Sequence, residues 1–267
     1  MAKSGKKTAA QNAALKGKAI LCNGLFLWAI NMSGYEEWSQ YKSVWMTRQS
    51  KFPVSCIALP FLEALFELDM DAIDRSGKPA GLIYNIMYVL GIVTRLGSNS
   101  VSNGTIYLKA DEEKRKFLSI SVKTAAGEVD ITPEAFHEIR RNVLWMNGED
   151  VPDESENDEL LEAEKFLSER SVPPLKYDLL DLEASVGLAY GCRVKDVMDW
   201  SILEFETCRR AVQRDRKHMI CGIGETNGCK WESGNPYPSW CFDREQTTSS
   251  ALIAGNQFGK SKTNKKE

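Results

Sequence analysis

The amino-acid sequence predicts a mainly α protein with a small antiparallel β insertion, an α+β fold, and a helical hairpin in its C-terminal half. Three observations support this prediction. Apolar residues recur at helical spacing after Thr132, and they do so again between residues 175 and 219. Residues 105–123 instead alternate apolar and polar side chains, which is the pattern of a half-buried strand pair.

The helix after Thr132 has clear start and stop signals. Thr132-Pro133-Glu134 supplies a capping hydroxyl, a proline at the first helical position and an acid in the first turn, while Asn147-Gly148 supplies a stop. Its apolar face consists of Phe136, Ile139, Val143 and Met146.

The patterns of two further amphipathic helices predict the helical hairpin between Lys176 and Met219. Gly191 closes the first of them, and Ser201 with Glu204 three residues later forms a capping box at the start of the second. The apolar positions are Leu175, Leu179, Leu182, Val186 and Ala189 in the first helix, and Phe205, Cys208, Val212 and Met219 in the second. In the β insertion, the alternating apolar positions are Ile106 and Leu108 in the first stretch and, apart from Phe117, Leu118, Ile120 and Val122 in the second.

Charge divides the chain into segments. The first 18 residues hold five lysines and no acid, whereas the stretch from Glu149 to Glu164 holds nine acids and no base. We therefore expect a basic flexible tail (1–18), an aromatic-rich N-terminal lobe (19–148, with the β insertion near 104–124), an acidic connector helix (149–170), a helical C-terminal lobe (171–222) and an irregular tail (223–267).

Composition limits the function classes. The 267 residues are 43% hydrophobic with a net charge of −3, which fits a soluble globular protein and argues against a surface built wholly for nucleic acid. The longest apolar stretches, 19–30 and 82–93, are too short to span a bilayer, and no signal-peptide pattern is present, so no membrane association is expected. Seven irregularly spaced cysteines indicate reduced thiols and a cytoplasmic protein.

No residue pattern requires catalysis, so we expect a protein that is not an enzyme and needs no cofactor. Ala254–Ser261 matches a loose phosphate-loop pattern, but six residues are too few for the helix that such a loop needs. Gly222–Gly228 resembles a dinucleotide fingerprint without its third glycine, and a helix-ending turn explains it better.

The aromatic residues of the N-terminal half allow two interpretations. Large rings at this density form either the core of a monomer or an exposed surface used in assembly, and the sequence does not separate the two. The candidate partner-binding residues are Trp28, Trp38, Trp45, Phe61 and Phe66.

A basic cluster is predicted on the last helix. It consists of Arg209, Arg210, Arg214, Arg216 and Lys217. A nucleic-acid groove would use such charges, but no helix-turn-helix or zinc-finger spacing accompanies them, so salt-bridged packing or a protein interface is the favoured interpretation.

Four potential metal ligands follow the cluster, namely His218, Cys221, Cys229 and Cys241. They lack the paired short spacings of a zinc knuckle. Ordinary thiols and a surface histidine are therefore favoured over a zinc site.

Several stretches resemble uncharacterised proteins of large tailed phages and of prophages of Gram-positive bacteria. They are Trp28-Ala29-Ile30, residues 51–56 (KFPVSC) leading to 59–66 (LPFLEALF), residues 147–154 (NGEDVPDE) and residues 234–240 (GNPYPSW). Such proteins are often encoded among head, neck and tail genes, and the helical C-terminal half is similar in style to tail assembly chaperones.

The resemblance implies a non-enzymatic phage morphogenesis or virion protein, located in the host cytoplasm or the virion. Its partners would be other phage or host proteins, or further copies of itself. The alternative is a phage-encoded protein that binds nucleic acid or a host factor through residues 209–217.

Overall fold

A computed structural model describes residues 2–111, 113, 115–154, 178–230, 235, 237 and 239. The chain forms two compact units. The first comprises Met1–Ser155 and Tyr190–Glu206, and the second comprises Glu156–Ala189 and Thr207–Glu267. Helices dominate, and the strands form one two-stranded and one three-stranded antiparallel sheet. The predicted α+β class with a small antiparallel insertion is thus confirmed.

The chain begins with helix α1, Ala2–Leu15, which packs on the helix Pro133–Met146. Ala10 and Ala14, one helical turn apart, are buried, and Lys6 forms an ion pair with Glu138 at 3.6 Å. The expectation of a flexible basic tail over residues 1–18 is therefore wrong for residues 2–15. The reason is that this segment is rich in alanine, the best helix former, and that Ala10 and Ala14 lie one turn apart where they pack on the neighbouring helix.

A tight hairpin follows, with strands β1 (Ile20–Cys22) and β2 (Leu25–Leu27). Its two-residue turn is Asn23-Gly24, and both residues have positive φ, 49° and 81°. This combination is typical of the turn that joins two antiparallel strands without splaying them. The sequence analysis described residues 19–30 only as an apolar stretch and did not predict the hairpin.

Five helices form most of the first unit's apolar core. After α2 (Tyr35–Trp45) and the short α3 (Val54–Ile57) come α4 (Phe61–Ser76), α5 (Leu82–Val93) and, after the sheet, α6 (Pro133–Met146). The rings of Trp45 and Phe61 both pack on Phe136, with centroids 5.3 and 6.0 Å away. Helix α6 begins as predicted, because the Thr132 hydroxyl accepts a hydrogen bond from the Ala135 N–H at 3.3 Å.

The insertion is a meander of β3 (Ile106–Asp111), β4 (Lys116–Thr124) and β5 (Gly127–Ile131), and β5 extends it beyond the predicted 104–124. Its register pairs Ile106 with Val122, then shifts between Lys109 and Ala110. This bulge buries Phe117 and leaves Leu118 exposed. The prediction that Leu118 shares a face with Ile120 is wrong, because an extra residue in one strand reverses the alternation beyond it.

The acidic segment is not helical where the structure describes it. Residues 149–154 have no helix, which corrects the expected connector helix (149–170) over this part. Glu149 pairs with Lys42 at 2.9 Å, and Asp150 pairs with Lys7. The rest of the predicted connector, residues 155–170, lies outside the described residues.

The C-terminal helices are α7 (Leu179–Tyr190), α8 (Val194–Val197) and α9 (Ile202–Thr226). Helices α7 and α9 lie where the two helices of the hairpin were predicted. The segment between them is longer than a simple turn, because it contains the short helix α8 and because Ser201 pairs with Asn31 in a β-bridge. Helix α9 also passes through Gly222 and Gly224, so the predicted turn there and the tail boundary at 223 are both wrong. Among the described residues, no helix is long and apolar enough to cross a membrane.

Candidate interaction surface

The predicted partner-binding aromatics lie mostly in the core. Trp38, Trp45, Phe61 and Phe66 are each no more than 5% exposed. Trp28 is half-buried, with the Arg95 guanidinium 3.7 Å above its ring. Of the two interpretations, the monomer core is therefore correct for the first four rings. The prediction that they form an exposed assembly surface is wrong, because these rings fill the space between α2, α4, α6 and β4.

The predicted basic cluster lies on α9. Arg210, Arg216 and Lys217 are exposed, whereas Arg209 and Arg214 are half-buried. Arg209, Arg210 and Arg214 each take part in an interaction within the chain. The Lys217 ammonium lies 5.0 Å above the ring of Tyr237.

Three exposed apolar side chains follow directly on the same helix. Met219, Ile220 and Ile223 are 59%, 67% and 56% exposed, and we call them the α9 patch. Ile223 is four residues after Met219 and three after Ile220, so it lies beside both of them on the helix surface. Arg216 is three and four residues from Met219 and Ile220, so the patch has a cationic edge.

This patch was not predicted from the sequence. The helical spacing of Phe205, Cys208, Val212 and Met219 placed Met219 on the face expected to be buried. The face is buried at Ile202 and Phe205 but exposed at Met219 and Ile223. Periodicity identifies an apolar face, but it does not show what covers each part of that face. The adjacent Ile220, which broadens the apolar stripe, was the available signal.

The potential metal ligands do not assemble into a site in the described structure. His218 Nδ1 lies 2.8 Å from the Tyr237 carbonyl oxygen, Cys221 is buried, and Cys229 is exposed. No three His, Cys, Asp or Glu side chains come together to hold a metal within the described ranges. Cys241 lies outside those ranges.

Cys22 is the thiol with the most distinctive environment among the described residues. Burial raises the pKa of Cys22, although Asn142 donates a hydrogen bond to its sulfur at 3.3 Å. A raised pKa keeps the thiol protonated, whereas a nucleophilic cysteine needs the thiolate. The position is therefore suited to packing between β1 and α6.

Comparisons of the chain with models of protein families, with curated proteins and with solved structures found no match.

Proposed function

We propose that this chain is a non-enzymatic binding protein of phage morphogenesis or of the virion, and that it acts through protein–protein contacts made by the α9 patch. The exposure of Met219, Ile220 and Ile223 on one helix face is the observation that supports the proposal. The resemblance to tailed-phage proteins supports the biological setting, in the host cytoplasm or in the particle.

The chemistry of the patch fits a protein partner. When a second apolar surface covers adjacent apolar side chains and removes them from water, the free energy falls, which stabilises the complex. Methionine adapts its shape to a partner, and arginine is enriched at protein interfaces. The partner we propose is a second copy of the chain or another assembly protein that presents an apolar face with an acidic edge.

The test is the oligomeric state of the purified chain by light scattering at low and high salt. We expect a salt-resistant oligomer for the wild type, because apolar contacts are not screened by ions. The double variant Ile220→Glu/Ile223→Glu should dissociate it, since two carboxylates would be buried without partners. Val54→Glu is the matched control, because Val54 is 88% exposed on α3 and lies outside the patch.

Two results would contradict contact between copies through α9. One is a wild-type chain that stays monomeric at every concentration. The other is an oligomer that the double variant and the Val54→Glu control leave equally intact, because the contact would then lie elsewhere on the molecule.

A second candidate function is binding of nucleic acid, favoured by the exposure of Arg210, Arg216 and Lys217 along one helix. Fluorescence anisotropy with a labelled duplex measures it. If these cations contact phosphates, the affinity should fall steeply with salt, and the variant Arg210→Ala/Arg216→Ala/Lys217→Ala should reduce the log–log salt slope by about 2.7, roughly 0.9 per contact. An unchanged slope in this variant would exclude a role for α9 in nucleic-acid binding.

A further inference from the structure

A small cavity of about 110 Å³ lies in the first unit where four segments of the chain meet. These are the end of α1, the residues after β2, the residue that follows the cap of α5, and the start of α9. The lining residues that carry the argument are Lys18, Trp28, Arg95, Asp199, Ser201 and Glu204.

Backbone hydrogen bonds hold the walls of this cavity together. The Trp28 N–H donates to the Val93 carbonyl at 2.7 Å, which joins the residues after β2 to the end of α5. The Ile202 N–H donates to the Ile30 carbonyl at 2.9 Å, which joins the residues after β2 to the start of α9. These two bonds fix the backbone around the cavity, whose charged lining is supplied by the exposed side chains of Lys18, Arg95 and Asp199 and the half-buried Glu204.

Arg95 occupies a position that normally favours glycine. Its φ is 58°, and the next residue, Leu96, donates its N–H to the Gly91 carbonyl at 3.0 Å, which is the bond that closes a helix in a Schellman motif. A left-handed backbone is costly for a side chain with a Cβ, and such residues cluster at binding sites. Here the side chain covers Trp28 at the cavity wall, with the guanidinium 3.7 Å from the ring centre.

Four charges line the cavity, two of each sign. Lys18 and Arg95 are cations, and Asp199 and Glu204 are carboxylates. In the part of the chain that the structure describes, none of the four forms an ion pair or donates or accepts a side-chain hydrogen bond. The Ser201 hydroxyl caps α9 by accepting the Glu204 backbone N–H at 3.2 Å, a bond that does not involve the Glu204 carboxylate.

We propose that this cavity binds a small zwitterion of the α-amino-acid class, independently of the α9 patch. The ammonium group would lie against Asp199 and Glu204, and the carboxylate against Lys18 and Arg95. Such a ligand neutralises both pairs of charges, which a simple anion or cation cannot do. The volume corresponds to about four water molecules, which is enough for a ligand the size of glycine, alanine or serine.

The experiment is a titration of the full-length chain with L-alanine, followed by NMR and by calorimetry. Propionate and ethylamine serve as probes that carry one charge each. We expect saturable binding of L-alanine with a Kd of about 0.1–10 mM, and binding of each single-charge probe weaker by about tenfold or more. Absence of saturable binding of L-alanine, or equal binding of propionate, would overturn the proposal.

Variants then locate the site. Arg95→Gly should weaken binding by about tenfold or more while keeping the melting temperature, because glycine suits the left-handed backbone. Lys18→Ala should also weaken binding, whereas Lys16→Ala, an exposed lysine outside the cavity, should not. If Arg95→Gly and Lys18→Ala both bind L-alanine as the wild type does, the ligand sits elsewhere and the proposal is wrong.

Discussion

At the scale of single residues, Asp69 shows how one side chain can fix the entry of a helix to which it does not belong. It lies on α4, is buried, and accepts hydrogen bonds from the Leu82 and Ile83 N–H groups at 3.0 and 2.9 Å. The residue before α5 is Gly81, which has no side chain to cap these donors. Asp69 therefore serves as the cap of α5 across the interface between the two helices.

Replacing Asp69 by alanine should lower the free energy of unfolding by about 1–3 kcal/mol, because two N–H groups at the start of α5 would lose their acceptor. Asp71→Ala is the matched control, two residues away on the same helix. Asp71 makes an exposed ion pair with Arg75, and its loss should cost less than about 0.5 kcal/mol. Urea unfolding measures both, and equal effects would show that Asp69 does not act as a cap.

The aromatic residues could not be assigned from the sequence to either the core or a partner-binding surface. Burial and partner binding both use large rings, so composition alone fits either role. What separates them is the environment of each ring, such as the contact of Trp45 with Phe136, 91 positions later in the chain. Trp28 differs from these rings because it is only half-buried and has the Arg95 guanidinium over its face.

Among the helices and strands, those predicted correctly have their start and stop signals close together in the sequence. Helix α6 has its cap, its proline and its stop within the 17 residues from 132 to 148, and it forms as expected. The β1–β2 hairpin is equally local, since Asn23-Gly24 is a strong signal for a two-residue turn between strands. The bulge at Leu118 had no such signal, because Phe117 faces the core to pack on Phe66 of α4, with ring centroids 5.9 Å apart.

The candidate surface on α9 could be predicted only in part from the sequence. Sequence placed the basic residues on α9 correctly and identified its apolar periodicity. It could not show that the apolar face is covered at Phe205 and exposed at Ile223, because that depends on distant segments of the chain. The cavity beside Trp28 was equally inaccessible, since its charges come from three separate regions of the sequence.

At the scale of the whole molecule, the acidic residues 149–154 bind back onto the first unit before the chain enters the second. Besides the ion pair of Glu149, the Glu154 carboxylate accepts the Gln49 and Ser50 N–H groups at 2.9 and 3.0 Å. Partial burial by itself would raise the pKa of Glu154, but these hydrogen bonds and the nearby Arg140 leave that pKa below its usual value. The charged form of Glu154 is therefore favoured in the folded state.

This arrangement makes part of the stability of the first unit depend on pH. Since the pKa of Glu154 is lower folded than unfolded, its contribution is complete above the unfolded value of about 4.3 and is lost as the pH falls through the folded value. Glu154→Gln should therefore melt below the wild type at about pH 7, and the difference should shrink in acid. Glu113→Gln, which removes an exposed carboxylate elsewhere, should match the wild type at both pH values. A Glu154→Gln deficit that is the same at about pH 3 as at pH 7 would mean that the ionised carboxylate is not what stabilises this segment.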